Sequence, residues 1–550
     1  MRKVKSLQKV PYAAPEVATK IVPAPVEGWD AISPLSNMDP KRAAILKNWV
    51  PRTGWVELRG GYSPWAQMIS ESAVETIMVY RPPSGDEQCF AATNGKIFDV
   101  SEALQPSYSA VVSGLLSNRW QYTNFTPAGA DTVIQIVNGS DSMRQWNGSA
   151  WSTPTISGLS GGYTTADFIN IASFKRRLWY VIKDTTIAVF MPTDAITGSI
   201  AGTIDVGALL RKGGSLIAMA AWTLDGGQGP DDYFAFISSE GEIVLYQGTD
   251  PSSADTWSIV GVFTISKPIG YRCTLSIGSD VALITLMGVL PISQVLPFDP
   301  SADRSVAITA RIQNAMAQAA SAGKNLFGWQ LITFPAQSLL LLNVPQIEGQ
   351  TQVQFVSNLL NGAWCQFTGW NANCFEIFEQ QLMWGDNLGN VNKGYSGGTD
   401  FEAPILADMQ CAWNAFDEPS RLKRMTMIEP ILVTSGSVTP TLGIDYEFQS
   451  SNISAPISTI TGTVLWDQAI WDQAIWPESD TQAVTLIYST TTVPAHWYAV
   501  RMKINLTSVV GNGTFDTGTF DSATFDAAVG PDIIFQVNMF NVVLEYGGVV

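Results

Sequence analysis

The chain has 550 residues, 46% of them apolar and only 14% charged, with a formal net charge of −17. That length asks for two or three domains, and the apolar fraction is enough for a real core. The acidic balance excludes a protein that grips nucleic-acid phosphates, because basic residues cluster only near the N-terminus.

The first 28 or so residues read as an extended arm. Met1 to Lys9 is basic, and Pro11, Pro15, Pro23 and Pro25 follow in place of the apolar run of a secretory leader. Such an arm is polyproline-like on its own or orders on a neighbouring subunit. Between 29 and 62 the spacing predicts a short helix over Lys41 to Trp49, with Asp39 as N-cap and Pro40 at its first position.

From 63 to 400 the pattern is short strands separated by tight turns. Predicted strands include Thr76–Tyr80, Lys96–Val100, Val133–Val137, Arg177–Ile182, Thr186–Phe190, Tyr233–Ser238, Glu242–Gln247, Ser258–Phe263, Val281–Leu286, Ser338–Val344, Gln352–Ser357 and Glu376–Phe378. Hairpin turns are expected at Asn94-Gly95, Asn138-Gly139, Asn147-Gly148, Glu240-Gly241 and Asn361-Gly362. Asn-Gly is the strongest of these signals, because a type I′ turn needs positive φ at both central residues. A turn glycine followed by a short strand recurs at Gly95, Gly241 and Gly389, and a tryptophan recurs at Trp120, Trp146, Trp179, Trp257, Trp364 and Trp384. Hairpin units with one aromatic each predict an irregular β-propeller, with a series of β-sandwiches as the alternative. Ser305 to Ala322 is Ala- and Gln-rich and predicts one inserted helix ending at Gly323.

Residues 401 to 550 alternate in the β manner over Met427–Val433, Gln482–Ser489 and Ile533–Tyr546, which predicts a β-sandwich or jelly roll. Two tracts within it repeat every five residues: Trp466, Trp471 and Trp476, and the pairs Phe515-Asp516, Phe520-Asp521 and Phe525-Asp526. Five fits neither helix nor strand, so the two tracts are expected to lie together and interleave their rings. The fold class is therefore all-β: arm and helix over 1–62, propeller body over 63–400, and sandwich over 401–550.

Catalytic patterns are weak. His496 is the only histidine, and no G-x-S-x-G elbow, G-x-G-x-x-G or P-loop occurs. Paired carboxylates able to hydrolyse glycosides reduce to Asp231-Asp232, read as a turn before a strand, and Asp516/Asp521/Asp526, read as Asx-turns or, alternatively, a calcium site. Cys89, Cys273, Cys365, Cys374 and Cys411 are odd in number and scattered, so buried reduced thiols of a cytoplasmically folded chain are expected. No stretch reaches the roughly 18 apolar residues of a membrane span. No enzymatic activity, cofactor, metal or catalytic residue is expected. Against a usual charged content of roughly 25%, the shortfall beside 19 Trp, 15 Tyr and 24 Phe fits surface buried against partners, or else surface covered by neutral polar residues.

The segment "SPLSNMDPKRAAILKNWVPRTGWVELRGGY" (33–62), with Asn37-Met38 and Leu58-Arg59-Gly60-Gly61-Tyr62, resembles the start of tail-nozzle proteins of short-tailed bacteriophages, also called tubular protein B or head-to-tail stabilisation proteins. Gly227-Gln228-Gly229-Pro230-Asp231-Asp232 running into "SSEGEIVLYQGTDPSSADTWSIVGVF" (238–263), and "LLNVP" (341–345) with "NLLNGAWCQFTGWNANC" (358–374), carry the same resemblance over roughly 33 to 400. It implies a structural virion protein, assembled in the host cytoplasm. Six copies would form a hexameric ring at the end of the tail, docked to a tail adaptor ring and offering sites to fibre or spike proteins. DNA would pass through the lumen unbound, past acidic side chains that repel it. The alternatives are a carbohydrate-binding or depolymerising tail protein, with Trp466, Trp471 and Trp476 as the stacking platform, and an adhesin-like propeller, which would carry a secretion signal.

Overall fold

In the computed structural model the described residues are 16–67, 69–225, 230–295, 306–401, 403–435, 438–451, 453, 457–460, 482–485, 487–490, 492–508 and 534–549. The strand-and-turn alternation builds seven small antiparallel sheets in chain order. Blade 1 holds Thr76–Tyr80, Gln88–Thr93, Lys96–Asp99 and Ala110–Ser113; blade 2 holds Gln121–Phe125, Val133–Val137, Arg144–Trp146 and Trp151–Ser152. Blade 3 holds Phe168–Phe174, Arg177–Ile182, Ile187–Phe190 and Gly202–Asp205; blade 4 holds Leu216–Asp225, Pro230–Ser238, Glu242–Gly248 and Trp257–Thr264. Blade 5 has three strands, Thr274–Ile277, Asp280–Thr285 and Gly288–Pro291. Blade 6 holds Gln330–Phe334, Leu339–Ile347, Thr351–Asn358 and Trp364–Phe367, and blade 7 holds Cys374–Phe378, Gln381–Gly385 and Val391–Gly394.

First strands of successive blades touch from blade 2 round to blade 7, and the first strand of blade 7 touches that of blade 1. Blades 1 and 2 are tied by Asn124, whose Nδ2 donates to the Val79 carbonyl (2.9 Å) and whose Oδ1 accepts from the Arg81 N–H (3.0 Å). The ring is thus closed, and the body is a seven-bladed propeller. All five predicted hairpin turns fall between paired strands, and at Asn94-Gly95 both residues take positive φ (49° and 67°), as a type I′ turn requires. The tryptophans do not mark one repeated position: Trp179 and Trp384 lie on second strands, Trp146 on a third, Trp257 and Trp364 on fourth strands, and Trp120 just before a first strand.

The fourth strand of blade 7 is Tyr62–Ala66, brought from the N-terminal side of blade 1 to pair with Val391–Gly394. The Leu58-Arg59-Gly60-Gly61-Tyr62 segment is the latch that makes this closure. Gly61 lies so close to the Thr399–Asp400 turn that a Cβ there would sit 1.8 Å from the Thr399 carbonyl oxygen. Only glycine lets the two backbones approach that closely.

The C-terminal region is a two-sheet sandwich, but neither boundary, 62/63 or 400/401, separates sheets. Blade 6 continues through Ala43–Lys47 into Ile405–Cys411, Tyr498–Ser508 and Thr441–Tyr446, making one nine-stranded sheet with Ile457–Ile460. The second sheet is built on Phe535–Val549 and Arg421–Thr434 with Trp49–Pro51, Val56–Leu58, Glu16–Pro23 and two short strands. Leu46, Met409, Met502 and Ile504 share the core between them with Met425, Ile428, Val537, Phe540 and Leu544.

Two expectations are corrected. Ala43–Lys47 is a strand rather than a helix. Asp39 does accept an N–H, from Lys41 (2.9 Å), but it makes a turn, after which Ala43–Lys47 fills the gap between blade 6 and Ile405–Cys411. Tertiary pairing overrides local helix propensity here. Residues 16–23 are extended, as expected of an arm, yet they pair antiparallel with Asn541 and its neighbours in this same chain. The inserted helix exists as Gln313–Gly323, preceded by a 3-10 turn at Ala310–Ile312, and buries Met316, Ala319 and Ala320 against blades 5 and 6. Most of the 466–476 tract's neighbourhood, the tract itself and the 515–526 tract lie outside the described residues, as do residues 1–15 and Gly227–Gly229.

Candidate functional site

The first strands of blades 1, 2, 5, 6 and 7 line one cavity of about 360 Å³. Only the propeller axis is reachable from all of them, so this is the axial cavity. At about 30 Å³ per water it holds roughly a dozen waters and is far too small for a DNA duplex.

Two guanidinium groups face this cavity, and they differ. Arg81, at the end of the first strand of blade 1, donates to Glu376 of blade 7 (3.1 Å) and to the Ile377 carbonyl. The other Glu376 oxygen accepts from the Tyr122 phenol of blade 2. Burial opposes the charge on Arg81, but the Glu376 carboxylate outweighs it and raises the pKa. Burial, reinforced by Glu376, holds the Tyr122 phenol well above its usual value, so it remains a donor. With Glu87 3.3 Å from Arg81 Nε as a second partner, this triad compensates the guanidinium charge while stitching blades 7, 1 and 2 together.

Arg272, just before the first strand of blade 5, is half-buried. Its Nη2 donates to Thr76 Oγ1 (2.6 Å) and to the Trp120 carbonyl (3.2 Å), and its guanidinium lies 5.1 Å from the centre of the Phe327 ring. Arg119 lies over the same ring at 4.2 Å but pairs with Glu75 (2.9 Å) and Glu348 (2.6 Å). Among the described residues, no carboxylate lies within ion-pair distance of Arg272. Burial lowers its pKa, yet a guanidinium stays charged in any protein setting.

The residues singled out by sequence do not meet at this cavity. His496 Nδ1 lies 3.2 Å from Glu447 Oε1 on the sandwich, and among the described residues no serine or aspartate joins them in a hydrogen-bonded triad. Asp232 forms an ion pair with Lys175 of blade 3. Sequence reasoning missed Arg272, Gln121 and Thr274 because the innermost strands alternate less cleanly than the middle ones. The available signal was a lone arginine beside Cys273, with no acidic residue within several positions on either side.

A larger cleft of about 620 Å³ lies beside the latch, between blade 7 and the Asp400 turn. Two of its carboxylates are already engaged: Asp386 accepts from the Leu388 and Asn390 N–H groups (both 2.8 Å), and Asp400 holds Arg59.

All five cysteines are buried and free. Burial pushes every thiol up, Cys273, Cys374 and Cys411 to about 12. The thiolate is the reactive form, so native protein at pH 8 is expected to take up no thiol reagent within minutes, whereas denatured protein takes up five equivalents. Rapid labelling of the folded chain would show that one of these sites opens.

No family model matches the chain, and no curated protein matches it. Among solved structures it is similar to Raptor of Chaetomium thermophilum, at 8% identity and a TM-score of 0.38, covering 61% of this chain and 28% of that one. A quinonprotein alcohol dehydrogenase-like protein from Bacteroides thetaiotaomicron gives 10% and 0.31, covering 53% and 66%. The six-bladed β-propeller lectin of Aleuria aurantia, described with its mode of fucose recognition, gives 11% and 0.28, covering 55% and 96%. The chain thus spans little more than a quarter of the Raptor chain, and the propeller assignment rests on the strand pairing above.

Proposed function

We propose that the chain is a structural virion protein, the tail nozzle of a short-tailed bacteriophage, which assembles as a ring, hexameric in such tails, and works without catalysis. The observation that carries this reading is an unsealed sheet edge. Trp257–Thr264 is the outermost strand of blade 4 and pairs on one side only. Ile259, Val260 and Val262 on it are 45%, 44% and 37% exposed. A long apolar edge strand invites pairing with another chain, and stable monomers blunt such edges with charge or proline. None of the eight residues of this strand is charged or proline. A neighbouring copy covering that edge explains both the strand and the low charge of the whole chain.

Two further points support the same reading. The edge strand belongs to the 238–263 segment that resembles nozzle proteins, and the Arg-Gly-Gly segment that resembles them is a structural latch. In this arrangement the ring surrounds the DNA path, one face docks to the adaptor ring, and fibres or spikes attach at the sides.

Ile259→Lys with Val262→Lys tests it, with assembly on the adaptor ring followed by negative-stain electron microscopy. Wild-type chain is expected to form closed rings at the tail end. The double variant is expected to keep its melting temperature within a few degrees and to lose ring formation at least tenfold. A wild-type chain that stays monomeric with the adaptor present, or a variant that assembles normally, would defeat the reading.

A further inference from the structure

We infer that the axial cavity of the propeller is a binding site for a small sugar acid, a polyhydroxylated ring bearing one carboxylate. The inference is independent of the ring-assembly reading and survives or fails separately from it.

The electrostatic case comes first. Three charged side chains line the cavity: Arg81, Arg272 and Glu376. Both Glu376 oxygens are occupied, one by Arg81 and the Ile377 N–H (3.1 Å) and the other by Tyr122. That leaves Arg272 as the lining charge with no carboxylate at ion-pair distance among the described residues. A partly buried guanidinium with no carboxylate in direct contact is costly; Glu75, held by Arg119, acts on Arg272 only at longer range, and Glu87 (3.3 Å) shares the Arg81 charge with Glu376. A guanidinium presents five N–H donors; among the described residues only Nη2 has protein acceptors, so donors on Nε and Nη1 remain for a ligand. Phe327 holds the guanidinium plane from one side, which fixes its orientation.

The remaining wall argues for a ring with hydroxyls in preference to a bare anion. Gln121, Thr274 and Thr333 line the same cavity, and no protein partner takes up their side chains among the described residues. They come from blades 2, 5 and 6, so they surround the axis and do not crowd one side. Gln330 does not join them, because its amide is committed to the backbone N–H (3.0 Å) and carbonyl (2.8 Å) of Phe375. Leu275, Leu331 and Ile332 supply apolar wall. A volume of about 360 Å³ is at the lower end of small-molecule sites and fits one or two sugar rings. Charge-assisted pairing to Arg272 fixes the carboxylate, and the neutral side chains accept and donate to the hydroxyls.

The test is isothermal titration of the full chain with glucuronate, with glucose and inorganic phosphate as comparisons. Glucuronate is expected to bind at least tenfold more tightly than either. Arg272→Gln is expected to abolish that preference, Arg272→Lys to retain part of it, and Lys96→Gln, an exposed charge on blade 1, to leave it unchanged. Phosphate binding as tightly as glucuronate would overturn the sugar part of the inference. Glucuronate binding no better than glucose, or equally well to a folded Arg272→Gln variant, would overturn it altogether.

Discussion

Replacing Asp400 by Asn is expected to destabilise the protein by about 3–5 kcal/mol. Arg59 and Asp400 form a bidentate pair (2.8 and 2.6 Å) with side chains 0% and 4% exposed. Among the described residues no other carboxylate pairs with the arginine. Its Nε donates to Asn48 Oδ1 (2.9 Å), Nη1 to the Gly60 carbonyl (2.9 Å) and Nη2 to the Thr368 carbonyl (2.7 Å), and the Phe367 and Trp370 rings flank it at 5.6 and 5.0 Å. Trp370 Nε1 donates to Asp400 as well (3.2 Å). The pair therefore joins the latch before blade 7, the end of blade 6 and the turn that leads into the sandwich. Asparagine keeps the shape and removes the charge, which leaves a guanidinium buried with no counter-ion. Breaking a buried pair costs more than the pair contributes, because the surviving charge stays desolvated.

The control follows from the same physics. In the double variant Arg59→Met with Asp400→Leu no unpaired charge remains, so its loss is expected to be smaller than that of Asp400→Asn alone. Urea denaturation followed by tryptophan fluorescence measures both. A single variant within 1 kcal/mol of wild type would mean that water or another group neutralises Arg59, and the latch would not be what closes the ring. For a chain whose stability is of the usual order of 5–15 kcal/mol, a 3–5 kcal/mol loss leaves the propeller open to proteolysis near Gly60-Gly61 first.

Trp179→Ala is the second large effect, also about 3–5 kcal/mol. Trp179 is on the second strand of blade 3 and 0% exposed. Its ring meets Phe190 at 4.8 Å, Phe234 at 4.9 Å, Trp257 at 5.8 Å and Phe236 at 5.9 Å. All but Phe190 belong to blade 4, so the tryptophan is the joint between two blades. Truncation removes one of the two tryptophans of that core and leaves a cavity that the surrounding aromatic rings cannot collapse to fill. Because blade 4 carries the exposed Ile259–Val262 edge, Trp179→Ala is expected to impair assembly together with stability. The surface variants at Ile259 and Val262 impair assembly alone. Differential scanning calorimetry beside the ring assay separates the two, and a Trp179→Ala protein of wild-type melting temperature would show that blades 3 and 4 are not packed through this residue.

Much of the propeller was legible before any coordinates. The middle strands of each blade are buried on both faces, and that gives them short apolar runs bounded by Gly, Asn and Asp: Val133–Val137 and Arg177–Ile182 were found to the residue, as was Thr76–Tyr80, an innermost strand buried at every position. The turns were legible because Asn94-Gly95 and its counterparts need positive φ, which is a local requirement. The innermost strands were harder. Gln121–Phe125 buries only Phe125 fully and shows no apolar alternation, and Thr274–Ile277 is only four residues long. The axial cavity, assembled from those strands, was invisible for the same reason.

Local sequence thus determined the all-β class, the hairpin units, the inserted helix and the burial of the cysteines, since each depends on side-chain periodicity or turn chemistry within a few residues. Tertiary structure alone decided three things. It decided that Ala43–Lys47 is a strand, because the slot between blade 6 and Ile405–Cys411 outweighs the helix propensity of AAILK. It decided that the number of blades is seven, because closure depends on Tyr62–Ala66 crossing more than 320 residues of chain to reach Val391–Gly394. It decided that no carboxylate among the described residues contacts Arg272, because the partners of a charge are set by which strands converge on an axis, and convergence of five blades is a property that no local stretch of sequence contains.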